Sequence, residues 1–346
     1  MYSFANDYSE GACPEVLEAL ISTNYNQTAG YGLDEYCETA SDLIKEKIGN
    51  KDIDVHFVTG GTPANVLAMC LLKPYEAVIS VESGHINVHE TGAVEATGHK
   101  IIEVKGKNGK ITVQEIQDVV KNHIDEHMVK PRMVFISNAT EFGTIYYKEE
   151  LKEIYNTCKE LGLYLYLDGA RLANALVAQG NDLSLRDICD YTDIFYLGAT
   201  KNGALMGEAM IIKNNKLKPN FRYLMKQHCS MLAKGRVIGI QFLALLKNDL
   251  YLENARNANI MAQALKYIFK QLGFKFYIES PTNQIFPIID NNLLEKIKSR
   301  YTIIEWGKYD DNHTITRFVC SWATRKSDIQ EFYEDLLAFI RQERIR

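Results

Sequence analysis

Short apolar runs return along this chain, and between most of them the apolar positions recur every third or fourth residue. The runs are "VHFV" (55–58), "AVISV" (77–81), "KIIEV" (100–104), "MVFIS" (133–137), "LYLYL" (163–167), "DIFYLG" (193–198) and "AMII" (209–212). Runs this short, rich in Val, Ile, Tyr and Phe, predict strands covered on both faces. The intervening "TVQEIQDVVKNHI" (112–124) and "KEELKEIYNTCKEL" (148–161) predict amphipathic helices. Strand and helix in alternation predict an α/β domain, a mainly parallel sheet with helices on both faces, whose ligand site lies at the carboxyl ends of the strands.

After a long helical stretch, 251–273, the pattern changes. Strand-like "FKFYIES" (274–280), "QIFPIID" (284–290) and "TITRFVCSW" (314–322) precede a closing helix over 327–344. We read residues 1–250, N-terminal segment included, as a large domain and 251–346 as a smaller C-terminal α+β domain. No repeat, low-complexity segment or Pro/Gly/Ser-rich linker separates them, so the two are expected to pack together.

Composition narrows the partners. Of 346 residues 46% are hydrophobic and 24% charged, enough for one large core and a smaller one. The net charge of -5 comes without a basic stripe, which argues against nucleic acid and anionic membrane and for a small molecule. The N-terminus lacks a basic region followed by an apolar run, and no apolar stretch reaches the roughly 18 residues of a membrane span. A cytoplasmic protein is expected. Seven scattered cysteines, an odd number with no Cys-x-x-Cys pair, read as reduced thiols.

Three places join apolar strands to chemistry. "FVTGGTPANVLAMCLL" (57–72) reads as a strand, a glycine turn and a helix, with Thr62 as cap and Pro63 at the first helical position. Such a helix start offers backbone N–H groups to a phosphate, although the stretch has neither Walker A nor Gly-x-Gly-x-x-Gly spacing. "LGLYLYLDGARLANALVAQG" (161–180) carries a buried strand into Asp168 and then into Arg171 on the first turn of a helix. A charge beside a core is costly unless it is paired or used. "FYLGATKNGALMGEAMII" (195–212) brings a third strand to Lys201, bracketed by small residues; a lysine kept from water becomes a usable nucleophile for Schiff-base chemistry.

A phosphate-binding turn at Gly60, Gly61 and Thr62, an acid at one strand end and a lysine at another are the contacts that pyridoxal 5'-phosphate requires. Asp168 would keep the pyridine N–H positive and Lys201 would hold the aldehyde carbon. In "ESGHINVHE" (82–90), His85 follows a strand and could lay its ring on the cofactor. His85 with His89, and His123 with His127, have the i, i+4 spacing of metal ligands but lack a third ligand, and no metal is expected.

With those residues assembled, the chain resembles the threonine aldolase and β-eliminating lyase family of fold type I pyridoxal phosphate enzymes, and most of all its bacterial low-specificity L-threonine aldolases. The resemblance covers nearly the whole chain. It is carried by "AGYGLDEY" (29–36), "GGTPAN" (60–65), "SGHINVHETGA" (83–93), "NATEFGT" (138–144), "LDGARLANA" (167–175) and "GATKNGALMGEA" (198–209). It implies that Lys201 is the Schiff-base lysine, Asp168 the partner of the pyridine nitrogen, His85 the stacking ring, and Gly61 with Thr62 the phosphate cradle. Arg171 and Arg317 match the family's clamp on the substrate carboxylate, a task that suits the planar guanidinium. It also implies a homo-oligomer, a dimer of dimers, in which Tyr31 and a basic segment around Lys226 and Arg236 help complete a neighbour's site.

The chain departs from the family pattern near the substrate. Asn6, in "FANDYSEG" (4–11), stands where Ser is common, Thr140 and Glu141 where many members have a His-Asn pair, and His89 where Tyr is frequent. The implied reaction is retro-aldol cleavage of L-threonine or L-allo-threonine to glycine and an aldehyde. The base for the β-hydroxyl proton is then His89, Glu141 or a water held by one of them, and His89 is favoured because imidazole titrates near neutrality. Alternatives are a β-eliminating lyase or transaminase on the same fold, and a non-catalytic pyridoxal phosphate-binding protein.

Overall fold

The apolar runs assemble into one seven-stranded sheet. The computed structural model, which describes residues 2–344, sets the strands in the spatial order Asp54–Val58, Glu208–Ile212, Ile194–Gly198, Tyr164–Asp168, Lys130–Ser137, Glu76–Val81 and Lys100–Val104. All pairs from Ile194–Gly198 to Lys100–Val104 are parallel, whereas Glu208–Ile212 runs antiparallel to both its neighbours.

Alternate residues of these strands enter two different cores. Ile79, Val134, Leu165 and Phe195 pack on one face with Ile44, Ile116, Leu151 and Ile188. Val78, Met133, Tyr166 and Ile194 pack on the other with Leu67 and Phe221. Both faces of the sheet are thus covered by helices, which is why the strands read as unbroken apolar runs rather than as alternating ones. The helices expected at 112–124 and 148–161 are present as Val113–Asn122, opened by a Thr112–Glu115 capping box, and Lys148–Glu160.

The C-terminal part forms an antiparallel sheet in the order Ile288–Asp290, His313–Val319, Ile304–Lys308, with Gln284–Ile285 pairing the far end of His313–Val319. Two expectations change here. Residues 274–280 form only a bridge, Phe276 to Pro287, because Pro287 has no N–H to give a ladder and splits its own strand in two. Strands Tyr301–Thr302 and Ile304–Lys308, unmarked by periodicity, complete the sheets.

Two segments tie the units together. Helix Leu250–Gln271 puts Tyr251 and Ala255 into the large core and Met261, Leu265 and Phe269 into the small one. Strand Tyr2–Ser3 runs parallel to Tyr301–Thr302, and Phe4 is buried with Phe318 and Phe332. The chain after Phe4 therefore leaves the small core and crosses to the strand ends of the large sheet. No helix among the described residues is long and apolar enough to cross a membrane.

Candidate active site

Asp168 closes strand Tyr164–Asp168, and the parallel neighbour closes at Gly198. Two glycines let the strand ends approach. A Cβ on Gly169 would lie 1.7 Å from the Tyr196 carbonyl oxygen, and one on Gly198 would lie 2.5 Å from that of Ala170. Asp168 is 4% exposed. Its Oδ1 accepts from the Tyr196 hydroxyl at 2.5 Å and the Ala170 N–H at 3.0 Å, and its Oδ2 from Asn65 Nδ2 at 3.2 Å. All these donors are neutral, and among the described residues no cationic side chain pairs with Asp168. A buried carboxylate so placed is suited to a cation that the protein itself does not supply.

The turn beyond Gly198 carries Lys201. It is held by the Ala199 N–H on Glu208 Oε2 at 2.6 Å, by Asn202 Nδ2 on the Tyr251 carbonyl at 2.6 Å, and by Asn254 Nδ2 on the Asn202 carbonyl at 3.0 Å. Lys201 Nζ makes no hydrogen bond or salt bridge among the described residues; its ring contact is with Tyr8, 5.9 Å away. Burial, then the Arg171 charge, lower its pKa and so favour the neutral, nucleophilic amine. Burial pushes the Glu208 carboxyl up to about 7.

The third contact differs in one detail from expectation. Helix Gly61–Met69 is capped by Gly60, with no side-chain cap, so Thr62 does not cap and Pro63 falls at the third helical position rather than the first. The chain stays extended through Gly60 (φ 172°, ψ 179°) and is helical from Gly61, whose added Cβ would lie 3.1 Å from the Tyr196 hydroxyl. The helix start thereby rests on the hydroxyl that bonds Asp168. The first N–H groups of such a helix have no partner within it and are available to an anion.

His85 opens the short helix His85–Val88 and is braced twice. Its Nδ1 lies 2.8 Å from Glu90 Oε1, which also accepts from Asn65 Nδ2 at 2.6 Å. Its backbone N–H donates to Glu141 Oε1 at 3.0 Å, which accepts from Ser137 Oγ at 2.8 Å as well. Glu141, buried and raised in pKa chiefly by that burial, is thus committed to anchoring the His85 turn. His89 is exposed, its ring 5.5 Å from that of His85 and 6.4 Å from that of Trp306. Burial of part of the ring, then the neighbouring His85, Arg317, Lys201 and Arg171 charges, lower its pKa, which leaves a neutral imidazole able to accept a proton.

The two arginines differ. Arg171 gives Nε and Nη2 to the two oxygens of Asp7, at 2.7 and 3.0 Å, and Asn283 Nδ2 adds a bond to the same acid at 2.9 Å. Burial alone would raise the Asp7 carboxyl; Arg171 and Lys201 hold it below its ordinary value. Among the described residues the Arg317 guanidinium bonds the Ala5 carbonyl, at 3.3 Å, lies 5.0 Å over the Trp306 ring, and has no partner for its Nε. Burial, then repulsion from Arg171, bring its pKa down to about 10. Arg317 is therefore the guanidinium free to receive a carboxylate.

Asn6 spends its Oδ1 on the turn that follows, accepting from the Tyr8 N–H and Ser9 hydroxyl, both at 2.9 Å. Thr140 is buried against Thr144. Among the described residues no hydrogen bond or ring contact joins Tyr31 to the Lys201 region; its ring lies under Lys226 Nζ at 4.4 Å, while Arg236 donates to the carbonyls of Asn26 and Thr23. Sequence reasoning missed Asp7, Asn65, Glu90 and Tyr196. Three of them stand inside the stretches that carry the motifs, and an acid next to Asn6 or five residues past His85 was the available signal.

A family model described as beta-eliminating lyase matches residues 4–292. The low specificity L-threonine aldolase of Pseudomonas sp. (strain NCIMB 10558) is 34% identical over 343 residues, 97% of each chain. A solved threonine aldolase of Leishmania major superposes with a TM-score of 0.97 at 45% identity, over 98% of this chain and all of that one. An aspartate aminotransferase of Thermus thermophilus shares the fold, with a TM-score of 0.72 at 14% identity over 98% of this chain and 91% of its own. With the family model spanning both strand ends that carry Asp168 and Lys201, the chain belongs to the beta-eliminating lyase family.

Proposed function

We propose that the protein binds pyridoxal 5'-phosphate at this site and cleaves L-threonine, L-allo-threonine and related β-hydroxy-α-amino acids to glycine and an aldehyde. The observation that carries the reading is a pair of opposites at adjacent strand ends. Among the described residues the Lys201 amine has no hydrogen-bond or ion-pair partner, and the buried Asp168 carboxylate has no ion-pair cation. These residues fit the cofactor: Asp168 for its pyridine N–H, the Gly61 and Thr62 N–H groups behind Gly60 for its phosphate, His85 for its ring face and Lys201 for its aldehyde carbon. When bound, the cofactor supplies a cationic ring that accepts the electron pair left on Cα. The relatives called threonine aldolases support the choice of reaction.

The protein's own groups do the rest. Arg317 binds the substrate carboxylate with its open fork and so selects which bond at Cα is presented for cleavage. Arg171, tied to Asp7, adds its charge and its remaining nitrogen. His89 takes the β-hydroxyl proton, and Lys201, with its lowered pKa, returns a proton to Cα to complete glycine. The reading extends to a cytoplasmic homotetramer built as a dimer of dimers. It is supported by seven free cysteines and by the exposed large apolar side chains Leu17, Ile21, Tyr25 and Leu33, which a second copy could cover.

An amino-acid panel tests the reaction. Threonine and allo-threonine are expected to yield glycine and acetaldehyde. Pyruvate and ammonia from serine or cysteine, or a keto acid with an aminated partner, would replace this reading by β-elimination or transamination. A second measurement tests the base. His89→Phe is expected to lower threonine and allo-threonine cleavage about 10²–10⁴-fold, the scale of a general base, with glycine binding nearly unchanged. Selective loss of cleavage in Glu141→Gln, with His89→Phe still active, would move the role to Glu141.

A further inference from the structure

Trp306 breaks the alternation of its strand. Ile304 stands across from Arg317 and Glu305 from Thr316, but Gly307 already pairs with Ile315, so Trp306 is the extra residue of a β-bulge with no partner on the other strand. Bulges re-aim a side chain, and this one sends the indole toward the site. The ring, half-buried, lies 5.8 Å from Phe142, 5.4 Å from Phe286 and 6.4 Å from His89, with the Arg317 guanidinium 5.0 Å over it. Phe142 follows strand Lys130–Ser137 of the large sheet and Trp306 belongs to the small one, so the corner is built by both units.

We propose that Trp306, with Phe142, walls a subsite for the group on the substrate's β-carbon and favours β-hydroxy-α-amino acids with an aromatic or branched apolar β-substituent over threonine. The inference rests on Arg317 holding the carboxylate and His89 taking the β-hydroxyl proton. Carboxylate and β-hydroxyl sit on neighbouring carbons, so a substrate bridging Arg317 and His89 presents its β-carbon between them, beside the Trp306 ring that lies against both. The remaining group on that carbon meets Trp306 and Phe142. Such a wall rewards a larger apolar group by removing more of it from water, and an aromatic group further by edge or offset contact. Trp306 also steadies Arg317 through its ring face, a benefit that every substrate shares because every substrate has the carboxylate.

The ratio of kcat/KM for phenylserine to that for threonine isolates the subsite, since the contribution of Arg317 cancels. In the holoenzyme this ratio is expected to exceed one, to fall about tenfold in Trp306→Ala and to be largely kept in Trp306→Phe. L-phenylalanine and L-alanine, which cannot be cleaved, provide a binding readout: the ratio of their inhibition or dissociation constants should shift by a similar factor in Trp306→Ala. Equal losses for both members of each pair would make Trp306 a support for Arg317 alone and overturn the subsite. Failure of the unaltered protein to cleave either hydroxy amino acid would strike the reaction itself, and the phenylalanine-to-alanine binding ratio would still decide the subsite.

Discussion

Lys201→Ala is expected to lose cleavage by on the order of 10⁴-fold or more, the scale of removing a covalent catalytic group, while the fold survives. Both halves follow from the surroundings of the amine. Among the described residues it has no hydrogen bond or ion pair to lose, and it sits beside Arg171 in a site that disfavours a second positive charge. Removing it relieves that burial cost and gives up only a distant ring contact with Tyr8 and an attraction to Asp7, so the melting temperature should change little or rise. Borohydride reduction of the protein loaded with pyridoxal phosphate should fix the cofactor on the peptide that contains Lys201, and the alanine variant should yield no such peptide. Reduced cofactor on any other lysine would overturn the site, and a variant with ordinary turnover would overturn the chemistry.

The parts of this molecule that are legible in the sequence share a physical cause. Strands covered on both faces are apolar at nearly every position, so the runs within Glu76–Val81, Ile194–Gly198 and Glu208–Ile212 stand out, and a charge at the end of such a run is conspicuous. Asp168 and Lys201 are found that way. What stays hidden is pairing across the chain. Asp7 and Arg171 are 164 residues apart, and nothing near either names the other. Glu90 stands five residues from His85, yet in a polar stretch its role depends on a turn that periodicity does not describe. The bulge at Trp306 is likewise a property of two strands in register, not of one. The glycine pair at 60–61 misled in the opposite direction: a Thr-Pro helix start is the commoner pattern, but the cap falls two residues earlier, at Gly60, with Gly61 seated against the Tyr196 hydroxyl.

Asp7→Ala is expected to cost about 3–5 kcal/mol of stability, the scale of leaving one partner of a buried ion pair uncompensated. Asp7 is 1% exposed and the Arg171 side chain 10%, so solvent cannot take over for the missing carboxylate. Asp7→Asn keeps an oxygen for one of the guanidinium bonds and should lose less, which provides a folded variant if alanine does not fold. Replacing both residues, as Asp7→Ala with Arg171→Leu, should lose less than Asp7→Ala alone, because the stranded charge is gone. The effect has a pH signature. The folded carboxyl lies below its unfolded value, so its contribution is present above that unfolded value, near pH 4, and drains away as the pH falls through the folded one. Urea titrations should therefore show the gap between the unaltered protein and Asp7→Asn wide at pH 7 and narrowing with acid below about pH 4. Loss of Asp7 also frees the fork of Arg171, so the KM for threonine should change more than kcat if the arginine then competes with Arg317 for the substrate carboxylate. A gap that is absent at pH 7, or that does not close in acid, would mean that the N-terminal segment holds its place through Phe4 and the strand Tyr2–Ser3 alone, and that Arg171 needs no partner to stay buried.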